Sequence, residues 1–76
     1  MTETIEYWTA EIEKRPAVAD LYFKRGCLHY RNNDFGEALN DFNRALALDA
    51  DHTAARQMRE MVREILDFRN FDLYNP

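Results

Sequence analysis

The sequence predicts an all-α fold of about four antiparallel helices in a single domain over residues 1–76. Apolar residues recur at spacings of three and four along most of the chain, which is typical of helix faces. Alternating runs of β-branched residues, which would indicate strands, do not occur. The two glycines and two prolines in 76 residues are too few for a protein of many short strands and turns.

The first two helices are separated by a proline. Residues 2–15 are predicted to form a helix whose apolar face consists of Ile5, Trp8 and Ile12. Pro16 ends this helix because proline has no N–H to donate and clashes with the preceding turn. A second helix is expected from Val18 to Arg31, where the polar residues 32–34 form a turn.

The third helix is predicted to begin at Asp34, which forms a capping-box-like pair with Glu37. Residues 49–51 end it, and a fourth helix follows over residues 52–69. Its apolar face should consist of Ala54, Met58, Met61, Val62, Ile65 and Phe68. Its charged face should carry the i,i+4 pairs Arg56–Glu60 and Arg63–Asp67, and residues 70–76 should form a tail.

Composition excludes several classes of function. The net charge of −4, with acidic and basic residues interspersed, gives no electrostatic footprint for nucleic acid or for a membrane surface. The single cysteine, Cys27, cannot form an internal disulfide, which fits a reducing compartment. The acidic N-terminus lacks the apolar run of a signal peptide, so we expect a soluble, cytoplasmic protein.

The chain repeats itself at a shift of about 34 residues, the tetratricopeptide period. This shift aligns Ile5 with Leu39 and Trp8 with Phe42. Residues 19–52 resemble one complete tetratricopeptide repeat, whose motif positions are held by Tyr22, Gly26, Ala38, Phe42 and Ala45. Trp8 and Pro16 hold two such positions in a preceding half repeat, whereas Arg25, His29 and Ala50 depart from the usual leucine, tyrosine and proline.

The resemblance implies a helical mini-solenoid. Residues 2–15 would be a half-repeat helix, residues 18–50 the full repeat, residues 52–69 a capping helix and residues 70–76 a tail. It also implies that Gly26 lies in a close helix contact with Ala38, with Phe42 and Tyr22 around it. A hinge is the alternative, since glycine in a helix interior costs about 1 kcal/mol relative to alanine.

The resemblance implies a protein-interaction module with a small apolar concave groove for a peptide or protein. The expected partner-binding residues are Asp20, Phe23, Cys27 and Tyr30, with Lys24 and Arg31 beside them. The first helix, the fourth helix or the tail could instead cover this stripe. A self-associating structural unit, a homodimer whose groove is filled by the tail or by a second copy, is the alternative function.

Other chemistry finds no support in the sequence. Many tetratricopeptide domains clamp a carboxylate with lysine and asparagine where this chain has Phe23 and Cys27, so acidic chaperone tails are not expected to bind. The chain has no serine, and Cys27 and His29 face different sides of one helix. Residues 49–52 lack the glycine and distant glutamate of a calcium loop. We therefore expect no catalytic residue, no cofactor and no metal.

Overall fold

Four helices follow one another along the chain, as the sequence predicts. The structure is a computed structural model that describes the backbone of residues 3–74 and the side chains of residues 3–68. The helices are α1 (Ile5–Lys14), α2 (Ala19–Arg31), α3 (Phe35–Leu48) and α4 (Thr53–Tyr74). Each packs against the next, most extensively α2 against α3. The described part of the chain contains no strand, and the all-α class is confirmed.

Short polar side chains precede α1 and α3. Thr4 caps α1, because its Oγ1 accepts a hydrogen bond of 3.1 Å from the backbone N–H of Tyr7. Asp34 precedes α3, but its side chain makes no capping hydrogen bond, so the predicted capping box with Glu37 is wrong. Asn33 instead makes the turn before α3 in the left-handed conformation, with φ of 64°, which asparagine tolerates well.

The fourth helix is longer than expected. It continues to Tyr74, so the predicted break near residues 69 and 70 is wrong. Residues 69–74 contain neither proline nor glycine, and a single asparagine does not stop a helix that has already formed. The side chains of residues 69–76 lie outside the described residues, and with them the expected docking of the tail on the stripe.

The inner face of α4 is rotated slightly from the prediction. Ala55, rather than the exposed Ala54, is fully buried together with Val62. Met61 and Phe68 are exposed, at 45% and 66%. The half-buried Met58, Ile65 and Leu66 complete this inner face, because they pack against the cluster that contains Phe42 and Val62.

The predicted ion pairs on α4 are also wrong in their partners. Glu60 pairs with Arg59 at 3.0 Å and lies 4.0 Å from Arg63. Arg56 instead donates a hydrogen bond to the carbonyl of Ala50, in the turn before the helix. The long arginine side chains choose among several acceptors at the surface, so sequence spacing alone does not fix the pairing.

Two clusters of side chains form the core. The first lies largely between α1, α2 and α3 and consists of Trp8, Ile12, Leu21, Tyr22, Ala45 and Ala55. The second lies between α3 and α4 and consists of Phe35, Ala38, Phe42 and Val62. Tyr22 also connects the first cluster to the loop between α1 and α2, because its hydroxyl donates a hydrogen bond of 2.9 Å to the backbone carbonyl of Pro16. The bulky motif residues are therefore core residues.

Gly26 lies in close contact with α3. A Cβ atom on Gly26 would come within 2.8 Å of Phe42 Cε1 and 3.1 Å of Asp41 Cβ. Real Cβ atoms essentially never make so close a contact, and the ring of Phe42 is fully buried and has no room to move. Close packing therefore explains the glycine, although the facing residues are Phe42 and Asp41 rather than Ala38.

A buried ion pair lies beside this contact. The guanidinium of Arg25 donates through Nε and Nη2 to the two carboxylate oxygens of Asp41, both at 2.8 Å, and through Nη1 to Thr9 Oγ1 at 3.1 Å. Asp41 is only 5% exposed, and its hydrogen bonds raise the pKa of Arg25. His29 Nε2 lies 3.8 Å from the same carboxylate. One arginine thus connects α1, α2 and α3.

The two residues of α2 that depart from the repeat pattern, Arg25 and His29, therefore converge on one carboxylate. A carboxylate this deeply buried is tolerated only when its charge is paired and its oxygens are hydrogen bonded. Asp41 meets both conditions through Arg25. Arg25 and His29, which replace the usual leucine and tyrosine, thus suit the buried carboxylate of Asp41. The contact between α2 and α3 is polar at Asp41 and apolar at Phe42.

The two glycines allow a matched test of close packing. Gly26→Ala should lower the free energy of unfolding by about 1–3 kcal/mol, the usual cost of overpacking a core. Gly36→Ala is the control, because a Cβ there meets nothing within 4 Å. It should raise stability by up to about 1 kcal/mol through helix propensity. Urea denaturation measures both, and a Gly26→Ala variant as stable as Gly36→Ala would contradict the packing account.

Candidate partner-binding site

A groove runs between the start of α1 and the length of α2. Its volume is about 150 Å³, enough for one or two apolar side chains of a ligand. The side nearest α1 is formed by Glu3 and Trp8. The side formed by α2 consists of Phe23, Lys24, Cys27, Leu28 and Arg31. We call this feature the α1–α2 groove.

The floor of the α1–α2 groove is apolar. Trp8 is only 8% exposed, and its indole ring meets the ring of Tyr7 edge to face, with centroids 4.8 Å apart. Phe23 and Leu28 are half-buried and pack against the first core cluster. These side chains are held in place by the core, so the floor is pre-formed for a ligand.

Charged side chains form the rim. Lys24 Nζ lies 5.2 Å from the centroid of the Trp8 ring, within cation–π distance, and 4.0 Å from a carboxylate oxygen of Asp20. Arg31 has no ion-pair partner within 4.0 Å among the residues whose side chains the structure describes. Glu3 and Asp20 each bring one negative charge, which together balance the charges of Lys24 and Arg31.

Cys27 lies in the groove as a free, half-buried thiol. Burial raises its pKa above the ordinary value, and Arg31, which acts in the opposite direction, only partly offsets this. A thiol with a raised pKa is protonated at neutral pH and is a poor nucleophile. Cys27 therefore acts here as a small apolar group that a ligand can contact.

The fourth helix covers the other edge of the predicted stripe. Asp20 Oδ1 lies 3.2 Å from His52 Nε2, and the hydroxyl of Tyr30 donates to the sulfur of Met61 at 3.2 Å. The ring of Phe23 also contacts the His52 ring, with centroids 4.9 Å apart. Of the six residues expected to bind a partner, Phe23, Lys24, Cys27 and Arg31 thus meet in the groove. Asp20 and Tyr30 do not.

His52 fixes α4 against α2 through both ring nitrogens. Its Nδ1 accepts a hydrogen bond of 3.1 Å from the backbone N–H of Ala55, which caps α4. Because Nδ1 is an acceptor, the proton of the neutral ring is on Nε2, and Nε2 donates to Asp20. This imidazole is both a helix cap and a bridge to Asp20, whose side chain remains 55% exposed.

Sequence reasoning missed three residues that line the groove: Glu3, Trp8 and Leu28. Trp8 was expected only as a core residue, and Glu3 and Leu28 were not singled out. One signal could have indicated Leu28. It lies one turn after Lys24 and three residues before Arg31, so the surface of α2 between these two cations has an apolar centre.

Two further features bear on function. Within the described part of the chain, none of the helices has the length and apolar character that a membrane crossing requires. Among residues 3–68, no three His, Cys, Asp or Glu side chains converge in a way that could hold a metal ion. Residues 49–52 form a turn instead, in which Asp49 Oδ1 accepts from the N–H of Asp51 at 3.0 Å.

Comparison with known proteins agrees with this geometry. Residues 19–52 match the family described as "Tetratricopeptide repeat". A human protein named "Tetratricopeptide repeat protein 5" is 42% identical over 48 residues, which are 63% of this chain and 11% of that protein. The chain thus matches about a tenth of this relative's length. No solved structure gave a significant match. Residues 19–52, where the motif predicts one complete repeat, are thus the segment that is similar to this family.

The raised pKa of Cys27 predicts how its reactivity depends on pH. Alkylation by iodoacetamide requires the thiolate, so its rate should rise with pH around a higher midpoint in the folded protein than in urea. Because the folded state keeps this proton to higher pH than the unfolded state, the free energy of unfolding should fall as pH rises through that range. A Cys27→Ala variant, which has no thiol, gives the background rate of alkylation. A folded midpoint at or below the unfolded one would contradict the burial of the thiol.

Proposed function

We propose that this protein is a protein-interaction module and that the α1–α2 groove receives a peptide or protein partner. Tetratricopeptide repeats generally mediate protein–protein interactions and are not enzymes. One observation carries the proposal. The apolar floor of Trp8, Phe23 and Leu28 lies open to a ligand, with only charged side chains at its rim.

The other faces of α2 are already closed by contacts with α3 and with α4. The side of α2 toward α3 is closed by Gly26 on Phe42 and by the Arg25–Asp41 pair. The side toward α4 is closed by the contacts of Tyr30 and His52. A helix that is apolar on nearly every side requires cover on nearly every side. The α1–α2 groove is where that cover is incomplete, and a partner would complete it.

The size of the groove limits the affinity. A volume of about 150 Å³ accepts one or two side chains, so most of a bound peptide would lie on the rim. Association also costs rotational and translational freedom, which so small a contact offsets only in part. We expect dissociation constants in the micromolar range or weaker for a single short peptide. The free Cys27 fits a reducing, cytoplasmic setting, which is part of the proposal.

A self-associating unit is the second candidate function. The observation that favours it is the exposure of Met61 and Phe68 on α4. Exposed apolar groups separated by two helical turns form a short stripe that a second copy could cover. In that case assembly would use α4, and the α1–α2 groove would stay free or be filled by the neighbouring copy.

The test is to select helical peptides from a display library and to map their binding sites by amide chemical shifts in the wild-type protein. The largest shifts should fall on residues lining the α1–α2 groove, including the indole N–H of Trp8. Leu28→Glu should weaken binding about tenfold or more, since burying a leucine contributes roughly 1.5–3 kcal/mol.

Leu48→Glu is the control for this test, because Leu48 is 37% exposed and lies outside the groove lining. It should leave the affinity unchanged. Far-UV circular dichroism of both variants checks that the fold is intact, and the wild-type shift map does not depend on either variant. Peptides that shift only α4 resonances, or a library that yields no binder, would contradict the proposed function.

A further inference from the structure

The side chain of Met61 connects α4 to α2 through its sulfur atom. The hydroxyl of Tyr30 donates a hydrogen bond of 3.2 Å to this sulfur, which is a weak acceptor. The ring of Tyr30 packs against the second core cluster and meets the ring of Phe35 edge to face, with centroids 5.5 Å apart. Because the core holds the ring, its hydroxyl keeps a fixed position beside the sulfur.

The same side chain also faces the solvent. Met61 is 45% exposed, whereas Met58, one turn earlier on α4, is half-buried and packs against the second core cluster. A peroxide in solution can therefore reach the sulfur of Met61 more easily than that of Met58. Oxidation of Met61 also costs the fold less, because the new oxygen can lie in water, whereas an oxygen on Met58 would enter the apolar cluster.

The two lone pairs of a thioether sulfur lead to different products when the sulfur is oxidised. They lie on opposite sides of the plane of the two carbon–sulfur bonds, and oxygen added to one or the other gives one of two sulfoxide epimers. In Met61 the hydroxyl of Tyr30 occupies one lone pair, so a peroxide has no access there. The other lone pair remains for reaction, and one epimer should form in excess.

We propose that Met61 is a site of reversible oxidation by hydrogen peroxide and that Tyr30 directs the oxygen to one face of its sulfur. The sulfur gives two electrons to one peroxide oxygen and bonds to it. The O–O bond breaks, and the other oxygen leaves as water with both protons of the hydrogen peroxide. Because the sulfoxide stays exposed, a methionine sulfoxide reductase can return it to the thioether with electrons from thiols.

Oxidation at this site changes the surface of α4. Met61 and the 66% exposed Phe68 form the short apolar stripe on this helix. A sulfoxide oxygen makes the stripe polar, and it withdraws electrons from the sulfur that accepts the hydrogen bond of Tyr30. The modification therefore removes α4 as an apolar surface and weakens its contact with α2. The α1–α2 groove should keep its affinity for peptides, because Met61 is not part of its lining.

The rates at which hydrogen peroxide oxidises the two methionines in the folded chain test the site. Trypsin cleaves after Arg56, Arg59 and Arg63, so Met58 and Met61 fall in separate peptides that mass spectrometry can quantify. In the folded chain Met61 should be oxidised severalfold faster than Met58, and in concentrated urea the two rates should be similar. Equal rates in the folded chain would overturn the proposal.

The ratio of the two sulfoxide epimers tests the role of Tyr30. There are two classes of methionine sulfoxide reductase, and each reduces only one epimer. Applied to the tryptic peptide from the oxidised folded chain, one class should reduce most of the Met61 sulfoxide and the other class little. The same peptide from chain oxidised in urea is the reference, and both classes should reduce similar amounts of it. An epimer ratio that does not differ between the two samples would overturn the proposal.

A pair of tyrosine variants identifies the hydroxyl responsible. Tyr30→Phe removes the hydroxyl and keeps the ring against Phe35, so the two epimers should form in similar amounts. Tyr7→Phe is the matched control, because the ring of Tyr7 lies against Trp8 on α1, and it should keep the wild-type excess. An unchanged excess in Tyr30→Phe would overturn the proposal. The comparison of folded and unfolded wild type needs neither variant, so it decides the question even if Tyr30→Phe is less stable.

Discussion

The close approach of α2 to α3 is the constraint on which the other features of this structure depend. Gly26 lets the ring of Phe42 lie directly against the backbone of α2, and the Arg25–Asp41 pair closes the contact beside it. The first contact sets how closely the two helices can approach, and the second, a pair of hydrogen bonds, sets their orientation. Together they fix both the distance between the helices and the rotation of α2 about its axis. That rotation decides which side chains of α2 remain available to a ligand.

With α2 held in this orientation, its faces have different roles. One face is closed by α3, and the next is closed by α4 through His52 and Met61. The remaining face meets α1 only at one end, where Trp8 forms the floor of the groove. The proposed function follows from incomplete cover, since the packing that stabilises the domain leaves one apolar strip with charged side chains at its rim. On this proposal, a partner completes the cover.

Much of this arrangement could be predicted from the sequence, because helix periodicity and the repeat motif are local signals. The spacing of Ile5, Trp8 and Ile12 and the glycine in α2 indicated the elements and their close packing. The Arg25–Asp41 pair could not be predicted in this way. Its members lie on different helices, 16 residues apart, and no local pattern reports which way each side chain turns. For the same reason Asp20 and Tyr30 were grouped with the groove, although they bond to His52 and Met61 instead.

The account requires that the α1–α2 groove be open in the free protein. The molar mass in solution, measured by light scattering over a wide range of concentration, tests this most directly. We expect the mass of one chain, 9.1 kDa, at every concentration. A stable dimer that Leu28→Glu dissociates would contradict the account. The groove would then be an assembly surface rather than a site for a partner.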